Sequence, residues 1–236
     1  SRFIAAGLVV DSALRIVVSP RFSFLLSRNR LADVQQLYRT AALWLVLFST
    51  PIYLVLGFFG PVALSWLGPE FVAGDRALAI LCAGAIVTFA AGNVHSVLLM
   101  SGRSGWAAIN KAIVLVLNVV GGLVLIPVLG VEGAAIAWAV SMLVDAVLAT
   151  VQVRVLVGVS PDLRAVGYAL LVVLVCVAVP AVVLRLTLGA TLLALLLTIG
   201  VGGALLAVWC FRDRERLQFS EFFGMLRPRR PPNGGD

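Results

Sequence analysis

Apolar residues in this chain come in long unbroken runs. Seven can be drawn, roughly Phe3–Leu26, Ala41–Phe59, Arg76–Met100, Trp106–Leu129, Gly133–Val157, Ala165–Leu188 and Ala190–Phe211. A helix needs about 20 apolar residues to cross a bilayer core. A membrane β-barrel would need segments of about ten residues alternating with period two, and none of the runs alternates. Backbone groups in lipid must be satisfied within their own segment, so the runs predict about seven transmembrane α-helices. Turn signals fall at the joints: Ser101 to Gly105, Pro127 to Gly133, and Gly158 to Pro161. Pro127 is expected to end one helix, and Gly130 to turn the chain into the next. Pro51 and Pro180 lie inside runs and predict kinks, because each removes a backbone hydrogen bond. The short run Pro61–Leu67 follows Gly60 and predicts a one-turn interfacial helix with Pro at its first position.

Composition turns this pattern into a fold class. The 236 residues are 61% hydrophobic and 12% charged, whereas soluble domains run roughly 45–50% apolar. A soluble enzyme, a secreted disulfide scaffold and a disordered chain are therefore excluded. The expected fold is an all-α polytopic transmembrane helix bundle. Cys82, Cys176 and Cys210 sit singly in apolar runs with no C-x-x-C and no nearby His, and read as small buried hydrophobes. No metal site, cofactor or catalytic constellation is predicted, and no nucleic-acid partner.

The net charge of +7 matters through its placement. Arg21, Arg28, Arg30, Arg39, Arg103, Lys111, Arg154, Arg164, Arg212, Arg214, Arg216, Arg227, Arg229 and Arg230 fall on one side of the spans. Arg2, Arg76 and Arg185 fall on the other, and Arg15 lies within a span. The positive-inside rule then places the C-terminus in the cytoplasm and the beginning of the first span outside, as expected of a multi-pass plasma-membrane protein. An odd number of spans, an external start and an opening Ser1-Arg2-Phe3 without Met read as a piece of a longer protein. Phe219, Phe222, Phe223 and Leu226 fall at i, i+3, i+4 and i+7 among arginines, the pattern of an amphipathic helix on the inner leaflet. The chain divides into a five-span lobe (1–157), a pair of nearly uniform apolar helices (158–211) and a basic tail (212–236).

Candidate functional residues are the polar groups that interrupt the spans, since each charge costs about 2.5–3.5 kcal/mol at a helix centre. Asp11 and Arg15 are four apart and share a helix face. They fit either a structural ion pair or a charged patch on a water-filled cavity. Asp145 lies on a stripe, Gly133, Ala137, Ser141, Asp145 and Ala149, that lets helix backbones approach closely. It should face protein, either in a hydrogen bond to a neighbouring helix or as a titrating, cation-coupled carboxylate. Asn93 and His95 sit in the third run, beside a second small-residue stripe, Gly84, Thr88, Gly92 and Ser96. Asn110 and Asn118 are eight apart in the fourth run, suited to joining helices or to binding sugar or phosphate. Lys111, near the cytoplasmic end, is expected to snorkel.

From about Pro20 to Val157 the chain resembles the C-terminal half of polysaccharide flippases of the multidrug/oligosaccharidyl-lipid/polysaccharide exporter superfamily. The residues that carry the resemblance are Pro20-x-Phe22, a basic linker to Tyr38, a Pro51-containing span, Leu67-Gly68-Pro69-Glu70-Phe71, Leu78-x-Ile80-Leu81, Ser101-Gly102-Arg103 and Asn118. The densest part is Leu125-Ile126-Pro127-Val128-Leu129-Gly130-Val131-Glu132-Gly133-Ala134-Ala135-Ile136-Ala137. The resemblance implies a fourteen-helix fold of two six-helix lobes plus two peripheral helices, of which these spans would be the eighth to fourteenth. It also implies outward flipping of undecaprenyl-type lipid-linked oligosaccharides in bacterial envelope polysaccharide synthesis, by alternating access. Asp11, Arg15, Asn118 and Asp145 would be the leading cavity groups. Membrane lipids and polysaccharide assembly proteins are the other partners it suggests. A lipid II flippase, a drug/cation antiporter and a seven-helix receptor stay open. So does an integral membrane glycosyltransferase or ligase, but the exterior loops are short, which argues against an enzyme.

Overall fold

The computed structural model describes residues 19–28 and 30–212. Residues 19–27 are helical (α1). The chain continues as α2 (Leu31–Phe58), α3 (Gly60–Ser65), a 3-10 segment (Pro69–Gly74), α4 (Asp75–Ala90), α5 (Val94–Met100), α6 (Ser104–Leu129) and α7 (Val131–Leu156). It ends with α8 (Leu163–Val173), a π-helical turn (Leu174–Ala178), α9 (Val179–Leu188) and α10 (Leu192–Arg212). Among the described residues there is no strand, and six segments are long and apolar enough to cross a membrane. Most of the first predicted run, with Asp11 and Arg15, lies outside the described residues, as does the predicted tail helix.

Helix α2 begins ten residues before the expected Ala41, so the expected basic linker is helix. Its sequence carries an apolar stripe, Val34, Leu37, Tyr38 and Ala41, at helical spacing. That stripe is buried against Phe22, Val97, Leu98, Val153 and Val159. Arg30 and Asp33 form an ion pair at its first turn. At 1.5 Å per residue the 28 residues run about 42 Å, longer than a bilayer core. Pro51 sits inside this helix without ending it.

The third predicted run does not form one helix. It breaks at Ala91-Gly92-Asn93, between α4 and α5. Gly92 has φ +66°, and a Cβ there would stand 2.7 Å from the Ala42 Cβ of α2. Only glycine combines that left-handed backbone with so close an approach. The break exposes backbone carbonyls, and the buried Tyr38 hydroxyl donates to one of them, Ala91 O, at 2.6 Å. Tyr38→Phe is expected to lower stability by about 1–3 kcal/mol, the penalty for an unsatisfied buried acceptor. Thermal unfolding in detergent checks this, and an unchanged midpoint would contradict the role given to the hydroxyl.

Helices α6 and α7 form a tight antiparallel hairpin turned by Gly130, at φ +58°. Contrary to expectation, Pro127 does not end α6, which runs on to Leu129. The Pro lies close enough to the C-terminus that the carbonyl it leaves without a partner is a small loss. A Cβ on Gly121 would meet that of Ala137 at 3.1 Å, and one on Gly84 of α4 would meet that of Ala139 at 2.8 Å. Small residues thus bring α4, α6 and α7 together, as the stripe predicts.

The sixth run is continuous through Pro180. It carries a π-helical turn just before the proline. Proline cannot bond back to Cys176 O, and Gly202 of α10 packs against that carbonyl. This run and α10 pack on α2 through Val166, Ala169, Val173 and Val177 against Ala42, Val46, Leu47 and Leu54, with Leu206 and Trp209 alongside. The expected short helix forms as α3, six residues with Pro at its start.

The two ends of the bundle are chemically distinct. At the arginine-rich end Arg39 lies 3.7 Å from Asp162, and Arg103 donates to Leu156 O at 3.1 Å. The Gln35 amide clamps the Ser160 backbone through both its atoms. At the other end Arg76 stands 3.8 Å from Glu132, and Arg185 donates to Phe58 O at 2.6 Å.

Candidate intramembrane charged site

The stripe on α7 faces inward along its length: Gly133, Ala137, Ser141, Asp145, Ala149 and Val153 are all buried. A carboxylate on that stripe is carried away from lipid, into the angle between α5, α6 and α7. Asp145 lies about 16 Å from the nearer end of α7 at 1.5 Å per residue. Its side chain is 3% exposed.

Two basic side chains converge on one of its oxygens. The Lys111 ammonium of α6 pairs with Asp145 Oδ2, and His95 Nε2 of α5 lies 3.3 Å from the same atom. With a proton on Nε2 the imidazole donates to the carboxylate. Oδ1 has no hydrogen-bond partner among the described residues. The three side chains differ sharply in access: Asp145 is enclosed, His95 is 16% exposed and Lys111 58% exposed. Lys111 therefore reaches from the open side of α6 to an acid on the closed side.

One helical turn closer to the arginine-rich end, Asn110 and Gln152 join α6 to α7 by a reciprocal amide pair. Asn110 Nδ2 donates to Gln152 Oε1 at 2.7 Å, and Gln152 Nε2 to Asn110 Oδ1 at 2.8 Å. This satisfies two amides at once and makes Asn110 interhelical glue. Asn118 is half-buried, eight residues further along α6. Asn93 sits in the break between α4 and α5, 2% exposed, and neither amide atom has a partner among the described residues.

Of the predicted residues, the structure brings together His95 and Asp145, places Asn110 one turn away, and leaves Asn118 apart from them. Asp11 and Arg15 lie outside the described residues. Lys111 does not simply snorkel; it is the counter-ion of Asp145. Gln152 was also missed. The signal for both was present: in a hairpin folded at Gly130, residues roughly equidistant from the turn face one another. Among the described residues no three His, Cys, Asp or Glu side chains group as metal ligands.

The chain matches no protein-family model, no curated protein and no solved structure. The six apolar helices make it a multi-pass membrane protein.

Proposed function

We propose that the chain is the C-terminal lobe of a two-lobe transporter that flips lipid-linked oligosaccharides across the plasma membrane by alternating access, with its C-terminus in the cytoplasm. The single observation that carries the reading is the Lys111–Asp145–His95 cluster, held at membrane depth beside a broken helix. Intramembrane charges are expensive and mark substrate or ion routes. Helices interrupted at depth are tolerated where they line a cavity or are buried in protein, and transporters use them at binding sites. The Leu125–Ala137 string supplies the link to polysaccharide flippases, and its tight hairpin is what sets Lys111 opposite Asp145. Translocation is preferred to catalysis because the connections between spans are short and the longest at the arginine-poor end, around Gly68–Asp75, carries only Glu70 and Asp75 as acids. The missing lobe, in this reading, completes the cavity facing α6.

The test is a deletion of the gene followed by lipid extraction. Lipid-linked glycan is expected to accumulate on the cytoplasmic leaflet, with loss of exported polysaccharide. Complementation by the wild-type gene should restore export, and a Lys111→Met/Asp145→Asn copy should not. Normal export in the deletion strain would end the flippase reading.

A further inference from the structure

Away from the charged cluster, an apolar groove of about 650 Å³ lies between α2 and α10. Trp44, Phe48 and Pro51 line it from α2, and Gly203, Ala207 and Phe211 from α10. It is open because its α10 wall is built partly from small residues, and a Cβ on Gly203 would meet nothing within 4 Å. On the α2 side the Trp44 and Phe48 rings stack, with centroids 5.2 Å apart. Phe48 is 51% exposed and Phe211 64% exposed, so the groove offers aromatic rings to whatever covers it.

The groove belongs to the arginine-rich half of the bundle. Helix α10 starts at the opposite end, where Ala194 packs with Phe59 and Val62, and finishes at Arg212. Phe211 therefore stands at the mouth. Ala207 lies about 8 Å and Gly203 about 14 Å deeper than Arg212, at 1.5 Å per residue. The whole groove thus spans about one leaflet of hydrocarbon.

Residues 213–236 lie outside the described residues, and their sequence suits this mouth. Phe219, Phe222, Phe223 and Leu226 recur at helical spacing, as a stripe about 10 Å long. Arg212, Arg214 and Arg216 precede the stripe, and Arg227, Arg229 and Arg230 follow it. Arginines on both flanks favour the headgroup level, from which an amphipathic helix sinks its apolar face about 5–10 Å. That depth covers Phe211 and Ala207. Residues 213–218 join Arg212 to the stripe and can span up to about 20 Å when extended, enough to bring it back over the groove.

We infer that this groove is the docking site of the chain's own tail: the Phe219–Leu226 stripe lies across its mouth and packs its phenyl rings on Trp44, Phe48 and Phe211. Aromatic pairs gain beyond the area they bury, which a lipid acyl chain cannot match. The tether also keeps the stripe at a high effective concentration beside the groove. Docked there, the tail clips α10 to α2 at the arginine-rich end. The docking is independent of what the chain transports.

Cys210, on the groove wall, is a built-in reporter. The test uses the full-length protein, one copy per nanodisc, with Cys82 and Cys176 replaced by Ala. A short bifunctional thiosulfonate should bridge Cys210 to the thiol of Phe222→Cys about tenfold faster than to that of Gly224→Cys, which lies about 200° away around a helix. Intact mass separates one internal bridge from two capped thiols. Bridging that is equal for the two, absent from both or faster for the second overturns the docking. A bridge that forms only between chains, when two copies share a nanodisc, assigns the groove to a second copy and overturns it as well. A second arm keeps Trp44 as the single tryptophan, with Trp66, Trp106, Trp138 and Trp209 replaced by Phe. Phospholipids brominated on their acyl chains quench a ring that they touch. Phe222→Ser/Phe223→Ser should raise this quenching about twofold, because losing two buried phenyl groups opens the groove to lipid. Quenching that is equally strong with the native tail shows an acyl chain in the groove and overturns the inference. The bridging arm retains every native tryptophan, so it decides the matter if the single-tryptophan protein fails to fold.

Discussion

Gly92→Val should strongly destabilise the folded protein. Valine at φ +66° enters the left-handed region, at about 1–2 kcal/mol for any residue with a Cβ and more for a β-branched one. Its Cβ would also fall 2.7 Å from that of Ala42, and 3.2 Å from the Ala42 Cα, which cannot yield without moving α2. Overpacking of that kind adds about 1–3 kcal/mol. The combined loss, about 3 kcal/mol or more, corresponds to a fall of about 10 °C in melting temperature for a chain of this size. Gly102→Val is the control: it shares the positive φ, at +76°, but a Cβ there meets nothing within 4 Å. It should show the conformational penalty alone. Equal melting points for the two variants would show that the α2 contact does not constrain the break.

Lys111→Met is the second large effect. It leaves Asp145 buried without its ammonium, and breaking a buried pair from one side typically costs about 3–5 kcal/mol. Removing both charges should be far milder, since an amide at 145 keeps His95 within reach and leaves no unpaired ion. The Lys111→Met/Asp145→Asn protein is therefore expected to melt within about 1 kcal/mol of the wild type, and the cycle of four proteins to return a coupling of about 2–5 kcal/mol. Additive single effects would mean that the two side chains do not depend on one another in the membrane.

Helix type follows from run length, because lipid leaves the backbone no other way to satisfy itself. The inward face of α7 was legible from residue size alone, and Asp145 with it. The early start of α2 was masked by charges: Arg30, Asp33 and Arg39 read as a linker while Val34, Leu37, Tyr38 and Ala41 were already forming a buried stripe. The break at Gly92 was hidden because the third run is apolar throughout, and nothing local distinguishes a helical glycine from one with positive φ. Lys111 was judged by its distance from the membrane surface, which says nothing about which acid stands opposite.

What the amino-acid sequence determined by itself is therefore the bundle: apolar runs of membrane length, a hairpin at Gly130, one arginine-rich end and a small-residue face on α7. Those properties depend on neighbours in the chain and on the solvent. The tertiary structure alone decided the site. Whether a lysine, a histidine and an aspartate from three helices share one carboxylate oxygen is set by how closely glycine and alanine let the backbones approach, and by the break that turns His95 toward α7. Long-range contacts of that kind have no local signature, because each partner's position makes sense only once the other helix is in place.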